Sequence, residues 1–167
     1  MDNYLLQYSD LENLTLREFK DKVEKLQGIN LKDLKISDLT FYNGNPILPS
    51  EGVYIFREGT NFVYVGKVTS MSFTERIPKH FDTRTFAWFN RLLKIICEKK
   101  NEKEITDENL IEASKFAFKN LNLILINFTK RERINSIEKL LRASTNTLNR
   151  FKTLGITDNN LIIKNYE

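Results

Sequence analysis

GVYIFREGTNFVYVGKVTSMSFTERIPKHF, residues 52–81, reads as two short strands, a tight turn and a helix. Val53-Tyr54-Ile55-Phe56 and Phe62-Val63-Tyr64-Val65 are built from β-branched and aromatic residues, which suit a pleated, half-buried surface. Between them Glu58-Gly59-Thr60-Asn61 supplies turn chemistry, with Gly59 free to adopt positive φ. A hairpin centred on Gly59 sets Tyr54 opposite Tyr64 and gives both side chains one face. Gly66 follows on that face and leaves room for another backbone or a ligand. Arg76 and His80 then stand four residues apart, hence on one side of the following helix, and His80 is the only histidine in the chain.

Working outward, Thr15-Leu16-Arg17-Glu18 is a capping-box pattern that opens a helix to about Leu26, stopped by Gly28. A second short helix is expected over about Leu31–Leu39, and Asn43-Gly44-Asn45-Pro46 turns the chain into the first strand. Residues 74–81 make one or two helical turns, although Pro78 belongs only near the start of a helix. Phe86, Phe89, Leu93 and Ile96, reinforced by Trp88 and Leu92, predict a helical stripe through about Glu98. Thr106 caps a further helix through about Phe118, Leu121–Phe128 is a central strand, and Arg131 to about Ala143 is a helix with Ile134, Ile137, Leu140 and Leu141 inward. The tail from Leu154, including LIIK, is compatible with a short strand or a helix. The sum is an α+β fold, a hairpin and a third strand with helices packed on them.

A chain of 167 residues accommodates one domain, or a small domain with an extension. No apolar run approaches the ~18 residues of a membrane-spanning helix, and no basic-then-apolar signal pattern opens the chain. A cytoplasmic protein without membrane partners is therefore expected. One cysteine, Cys97, and one histidine cannot make an internal disulfide or a Cys/His zinc site within one chain, so any metal should be a hard ion held by carboxylate and water. Net charge is +4, and it is unevenly spread. Residues 1–50 carry six basic and eight acidic side chains, whereas residues 51–100 carry nine and five, so the excess sits with the hairpin and its helix, as a phosphate-binding surface requires.

Gly52-Val53-Tyr54 and Tyr64-Val65-Gly66 resemble the paired triplets of the GIY-YIG nucleases, and Arg76 with His80 is similar to that family's Arg-x-x-x-His element. Glu138, in IEKLL, resembles the metal-binding Glu that completes the family's site. The resemblance spans roughly residues 50–151 and implies a small antiparallel three-stranded sheet flanked by helices. Residues 1–45 then form an N-terminal helical extension, and residues 46–167 the nuclease-like domain with a helical insertion at about 84–118. The implied activity is metal-dependent hydrolysis of DNA phosphodiester bonds at Tyr54, Tyr64, Arg76, His80 and Glu138. Glu138 is the metal ligand, for Mg²⁺ or alternatively Mn²⁺, and the partner is duplex or branched DNA, bound by a monomer or homodimer.

Each residue carries a physical reason beside the resemblance. A free phenol with pKa ~10 is only about 0.1% ionised at neutral pH, so a tyrosine base needs help. Cations nearby (Arg76, Lys67, the metal) would favour the phenolate. The resemblance implies Tyr54 as base and Tyr64 as hydrogen-bonding partner; the residues alone leave the two roles interchangeable. Arg76 suits the charge that builds on a phosphate, and His80 suits a relay or orienting role toward Tyr54. Glu138 lies at the edge of its helix's apolar stripe, with an ion pair to Arg142 as the plain alternative. Lys67, Lys79 and Arg84 are candidate DNA contacts, joined by Arg91 and Lys94. Asn149 is a further candidate DNA contact; it matches the family's late Asn with a spacing one residue short and no preceding proline, and Asn146 competes for that place. The rival expectation is a nucleic-acid-binding module of the same fold without efficient cleavage.

Overall fold

The computed structural model describes residues 3–150, 155–156 and 158–167. In chain order its elements are β1 (Leu5–Gln7), α1 (Leu16–Glu24), β2 (Ile29–Asn30), β3 (Phe41–Tyr42), β4 (Asn45–Pro46), β5 (Gly52–Glu58), β6 (Asn61–Val68), α2 (Phe73–Lys79), α3 (Arg91–Lys99), α4 (Asp107–Asn120), β7 (Asn122–Asn127) and α5 (Ile134–Ser144). Short 3-10 turns lie at Tyr8–Asp10, Ile36–Leu39, Arg131–Arg133 and Ile163–Asn165.

β5 is the middle of the main sheet, antiparallel to both β6 and β7. The sheet does not stop at those three strands. β1 pairs in parallel with β7 at Leu125–Asn127, and β2 pairs antiparallel with the same edge at Asn122 and Leu123. The expected three-stranded antiparallel sheet is thus the centre of a five-stranded mixed one, and the N-terminal segment supplies strands as well as a helix. The physical reason lies in β7. It is apolar on both faces and would otherwise leave a row of backbone donors and acceptors unpaired. β1 and β2 are three and two residues long, too short for any periodicity to show. Asn43 and Gly44, both at positive φ, form the two-residue tip of a separate hairpin, β3–β4.

Each sheet face carries its own core. Tyr54, Phe56, Tyr64 and Val68 pack against Phe73 and Ile77 of α2, Leu92 and Ile96 of α3, and Leu110 and Ala117 of α4. Val53, Ile55, Val65, Ile124 and Ile126 face Leu16, Phe19 and Val23 of α1 and Ile134, Ile137 and Leu141 of α5. Burying each such side chain contributes about 1.5–3 kcal/mol. The capping box of α1 forms as predicted, with Thr15 N–H donating to Glu18 Oε2 at 2.9 Å and Glu18 N–H to Thr15 Oγ1 at 3.3 Å.

The hairpin register differs from the simple expectation. Glu58 pairs with Asn61 and Arg57 with Phe62, but the next pair is Phe56 with Tyr64, so Val63 is extra and a bulge results. Pairing Glu58 with Asn61 centres the turn between Gly59 and Thr60, one register step beyond the expectation, and the bulge adds a second, so Tyr54 lies opposite Gly66 rather than Tyr64. The space expected over Gly66 is filled by the Tyr54 ring: a Cβ on Gly66 would lie 2.2 Å from Tyr54 Cζ and 2.3 Å from its hydroxyl. Replacing Gly66 by Ala is expected to destabilise the fold by about 1–3 kcal/mol, as overpacking does, and to displace the Tyr54 ring. Chemical denaturation measures the first effect and near-ultraviolet circular dichroism of the tyrosines the second.

Three helix expectations are corrected. Residues 31–39 hold only the 3-10 turn at Ile36–Leu39. α3 begins at Arg91, not near Phe86, and residues 82–90 are a loop. Asn90 is the cause: buried at the helix start, its side-chain amide donates to the Asp82 carbonyl at 2.7 Å and to that of Arg84 at 2.9 Å. Pro78 lies in the last turn of α2, where the bond it cannot donate would go to Thr74. In the tail, Ile162 bridges Thr15 and Ile163–Asn165 forms a 3-10 turn; Leu154 lies outside the described residues.

Candidate active site

α2 starts from a second reciprocal cap, in which Ser72 N–H donates to Glu75 Oε2 at 2.7 Å and Glu75 N–H to Ser72 Oγ at 3.3 Å. This fixes the helix phase. Phe73 and Ile77 enter the core, and His80, at the C-cap on the same side, is carried under the sheet. There His80 Nε2 lies 2.7 Å from the Tyr54 hydroxyl. Three rings enclose the imidazole, with centroids of Tyr54 at 5.4 Å, Phe56 at 5.3 Å and Tyr64 at 5.1 Å, all edge-on. Its Nδ1 is buried without a hydrogen-bond partner among the described residues.

Burial sets the protonation states. Tyr54 is 1% exposed, and that loss of water, then the neighbouring Tyr64 phenol, push its hydroxyl far above the usual phenol range. The Arg76 charge acts the other way, as expected from sequence, but burial prevails, so the expected depression of the Tyr54 pKa is corrected. Burial, aided by Arg76, also holds His80 well below its ordinary 6.5, and burial raises Tyr64. The resting pair is therefore a neutral phenol and a neutral imidazole.

This has a measurable consequence for stability. Below pH 6.5 the unfolded chain protonates its histidine while the folded one resists, so unfolding is favoured as pH falls. Above pH 10.0 the unfolded chain ionises Tyr54 while the folded one does not, so stability also falls on the alkaline side. Each group contributes at most about 1.4 kcal/mol per pH unit to its slope, and Tyr64, also raised by burial, adds to the alkaline one. Denaturant midpoints of His80→Gln and Tyr54→Phe across pH check it: the first should make the acid limb shallower just below pH 6.5, and the second should make the alkaline limb shallower, leaving the part that Tyr64 contributes.

Arg76 lies alongside, its guanidinium 5.9 Å from the Tyr54 ring centroid and 5.1 Å from that of Phe89, with Nη1 donating to the Phe89 carbonyl at 3.2 Å. Tyr64 stacks near-parallel on Tyr54 at 6.3 Å between centroids but makes no hydrogen bond to it. Tyr54, Tyr64, Arg76 and His80 are thus brought into one contact cluster.

Glu138 joins that cluster through charge rather than contact, and its carboxylate raises the pKa of both phenols. It is 5% exposed on α5, where Oε1 accepts from Arg142 Nη1 at 2.9 Å and Oε2 lies 3.8 Å from Lys67 Nζ. The plain expectation of an i, i+4 ion pair is therefore met. Among the described residues no cluster of three His, Cys, Asp or Glu side chains is placed to hold a metal. Glu138 Oε2 nevertheless suits a hydrated Mg²⁺ as a single donor, because its 3.8 Å partner is a half-exposed lysine that can swing away.

The candidate DNA contacts scatter more widely. Lys79 stands over the Phe89 ring, and Arg84 pairs with Asp82 and covers Phe86. Asn149 has another use: its amide accepts from Val65 N–H at 3.1 Å and donates to the Val65 carbonyl at 2.7 Å, pairing the outer edge of β6 as a strand would. Asn146 meets Arg150 at 3.4 Å, at the rim of a separate cavity of about 730 Å³. From sequence Arg142 is only the ion-pair partner of Glu138, but its charge also favours the Tyr64 phenolate, and Phe89, read as part of a helical stripe, seats Arg76. The i+4 spacing signalled the first; nothing local signalled the second. Comparison with protein-family models, with curated proteins and with solved structures finds no match to this chain.

Proposed function

We propose that this chain is a metal-dependent endonuclease of GIY-YIG type, hydrolysing DNA phosphodiester bonds with a water activated at Tyr54. The observation that carries the reading is the 2.7 Å contact between the Tyr54 hydroxyl and His80 Nε2, beside Arg76. Because both groups rest neutral, the base is the pair and not a free phenolate. Water attacks phosphorus, its proton passes to the Tyr54 oxygen, and the Tyr54 proton passes to His80 Nε2. The bond from phosphorus to the 3′ oxygen breaks, leaving a 5′-phosphate and a 3′-hydroxyl that takes its proton from solvent. Arg76 offsets charge on the phosphate oxygens as it develops. A Mg²⁺ or Mn²⁺ ion held at Glu138 would supply charge for the leaving oxygen.

A second reading, a DNA-binding module without efficient cleavage, is favoured by the burial of Tyr54 and the double ion pairing of Glu138. Plasmid nicking with Mg²⁺ and with chelator, alongside DNA binding by anisotropy, separates the two. Nicking lost with chelator supports the nuclease; binding without nicking at any Mg²⁺ concentration supports the module. Within the nuclease reading, Arg76→Ala is expected to lower the cleavage rate about 10²–10³-fold, as loss of a transition-state donor does, while DNA affinity changes less. Single-turnover kinetics read beside anisotropy check this, and equal losses in both would make Arg76 a phosphate anchor.

Residues 46–167 form the nuclease unit in this reading, with about 84–118 as an insertion, acting as a monomer or homodimer on duplex or branched DNA. Among the described residues no helix is long and apolar enough to cross a membrane. The lone buried thiol of Cys97 suits a reducing compartment, and we place the protein in the cytoplasm.

A further inference from the structure

The loop between α2 and α3 holds the most exposed large side chains near the site. Trp88 is 92% exposed, Phe86 71% and Phe89 45%. A large apolar side chain in water gives the fold nothing, and a flexible loop would ordinarily turn it inward. This loop is not free to do so. Asn90 holds the carbonyls of Asp82 and Arg84, Thr85 N–H donates to Asp107 Oδ1 at 2.8 Å, and Ala87 N–H closes a turn on the Arg84 carbonyl at 3.1 Å. Lys94 Nζ adds a bond to the Ala87 carbonyl at 2.9 Å. A fixed backbone that presents aromatic rings outward is organised for something outside the chain.

Its surroundings narrow the choice. Residues 76–94 carry five basic side chains (Arg76, Lys79, Arg84, Arg91, Lys94) and one acidic, Asp82, net +4. Arg84 pairs with Asp82 and Arg91 with Glu98, whereas Arg76 and Lys79 make no carboxylate ion pair among the described residues and flank the Phe89 ring instead. Aromatic faces interleaved with cations fit a strand that offers bases and phosphates alternately. The loop also touches the chemistry, since the Phe89 carbonyl receives the Arg76 guanidinium.

We infer that residues 84–90 are a nucleobase-stacking element, in which Trp88, seconded by Phe86, stacks on an unpaired or unstacked base of the DNA whose phosphate is presented to Arg76. The inference rests on the nuclease reading for its ligand and adds the substrate form: DNA with an accessible base, such as a single strand, a bulge or a branch, over a perfect duplex.

Trp88 is the only tryptophan, so its fluorescence reports on this loop alone. The full chain in chelator is titrated with a short single-stranded oligonucleotide, its matched duplex, and the same duplex with a one-base bulge, following fluorescence and anisotropy together. Wild-type fluorescence should be quenched by the single strand and the bulge at concentrations where the matched duplex quenches little. Trp88→Ala should weaken binding to those two ligands roughly 5- to 150-fold, the range for loss of one stacked base, and Trp88→Phe should restore most of it. The side chain is almost fully exposed, so neither variant should alter the thermal midpoint.

The outcomes separate this inference from the nuclease reading. Metal-dependent nicking by wild type with no quench and unchanged Trp88→Ala binding overturns the stacking element and leaves the nuclease. Quench and lost Trp88→Ala affinity without nicking leave the stacking element and overturn the nuclease. A blue shift that grows with protein concentration in the absence of DNA makes the loop a contact between copies of this chain and overturns the inference. Failure to bind any of the three ligands overturns both.

Discussion

Glu138→Gln is expected to reduce Mg²⁺-dependent nicking to the level seen with chelator. The substitution keeps shape and hydrogen-bonding capacity at Oε1, so Arg142 retains a partner, but it removes the charge that would hold a divalent ion. Lewis-acid stabilisation of several kcal/mol corresponds to a loss of at least roughly 10²–10³ in rate. Stability should fall less, because Arg142 and Lys67 are 24% and 39% exposed at their side chains and water can take over part of the pairing. The check is plasmid nicking over a Mg²⁺ titration together with a thermal melt. A folded Glu138→Gln protein that nicks at the wild-type rate removes Glu138 from the site and leaves it a structural ion pair.

Tyr54→Phe is expected to cost about 10²–10⁴ in rate, the range for loss of a general base. Tyr64→Phe should cost under about tenfold, since it removes a neutral hydroxyl that makes no bond to Tyr54. Both keep their rings, so stacking survives. Tyr54→Phe also strips His80 Nε2 of its 2.7 Å partner inside the core, and an orphaned buried polar atom costs about 1–3 kcal/mol. Its melting midpoint should fall accordingly, while that of Tyr64→Phe should hold. The pH–rate profile is a second measurement. With neutral His80 as proton acceptor and its pKa held below 6.5, the rate should be level above that pH and decline only on its acid side. A tenfold rise per pH unit between 7 and 9 would point to a species ionising there and would remove His80 from the acceptor role. His80→Ala with full activity would do the same.

Local chemistry was legible wherever it is written in neighbouring residues. The Thr15–Glu18 cap, the Gly59 turn, the two strands around it and the apolar stripe of α5 follow from propensity and period, because each depends on side chains within a turn or a pleat. The i, i+4 relation of Arg76 and His80 belongs with them, as does the Glu138–Arg142 pair. What sequence left undecided depended on partners far along the chain. β1 and β2 exist because β7 needs its edge paired, and strands of three and two residues carry no periodic signal. Residues 86–89 read as a helix by period, yet Asn90 binds the carbonyls of Asp82 and Arg84 and holds them in a loop. A turn tip at Gly59-Thr60 and a one-residue bulge at Val63 together moved the partner of Tyr54 from Tyr64 to Gly66. Above all, the sign of the Tyr54 shift was a tertiary matter. The sequence named the cations that would favour a phenolate, but only the packing of α2, α3 and α4 over that face of the sheet excludes the water that makes burial the stronger effect.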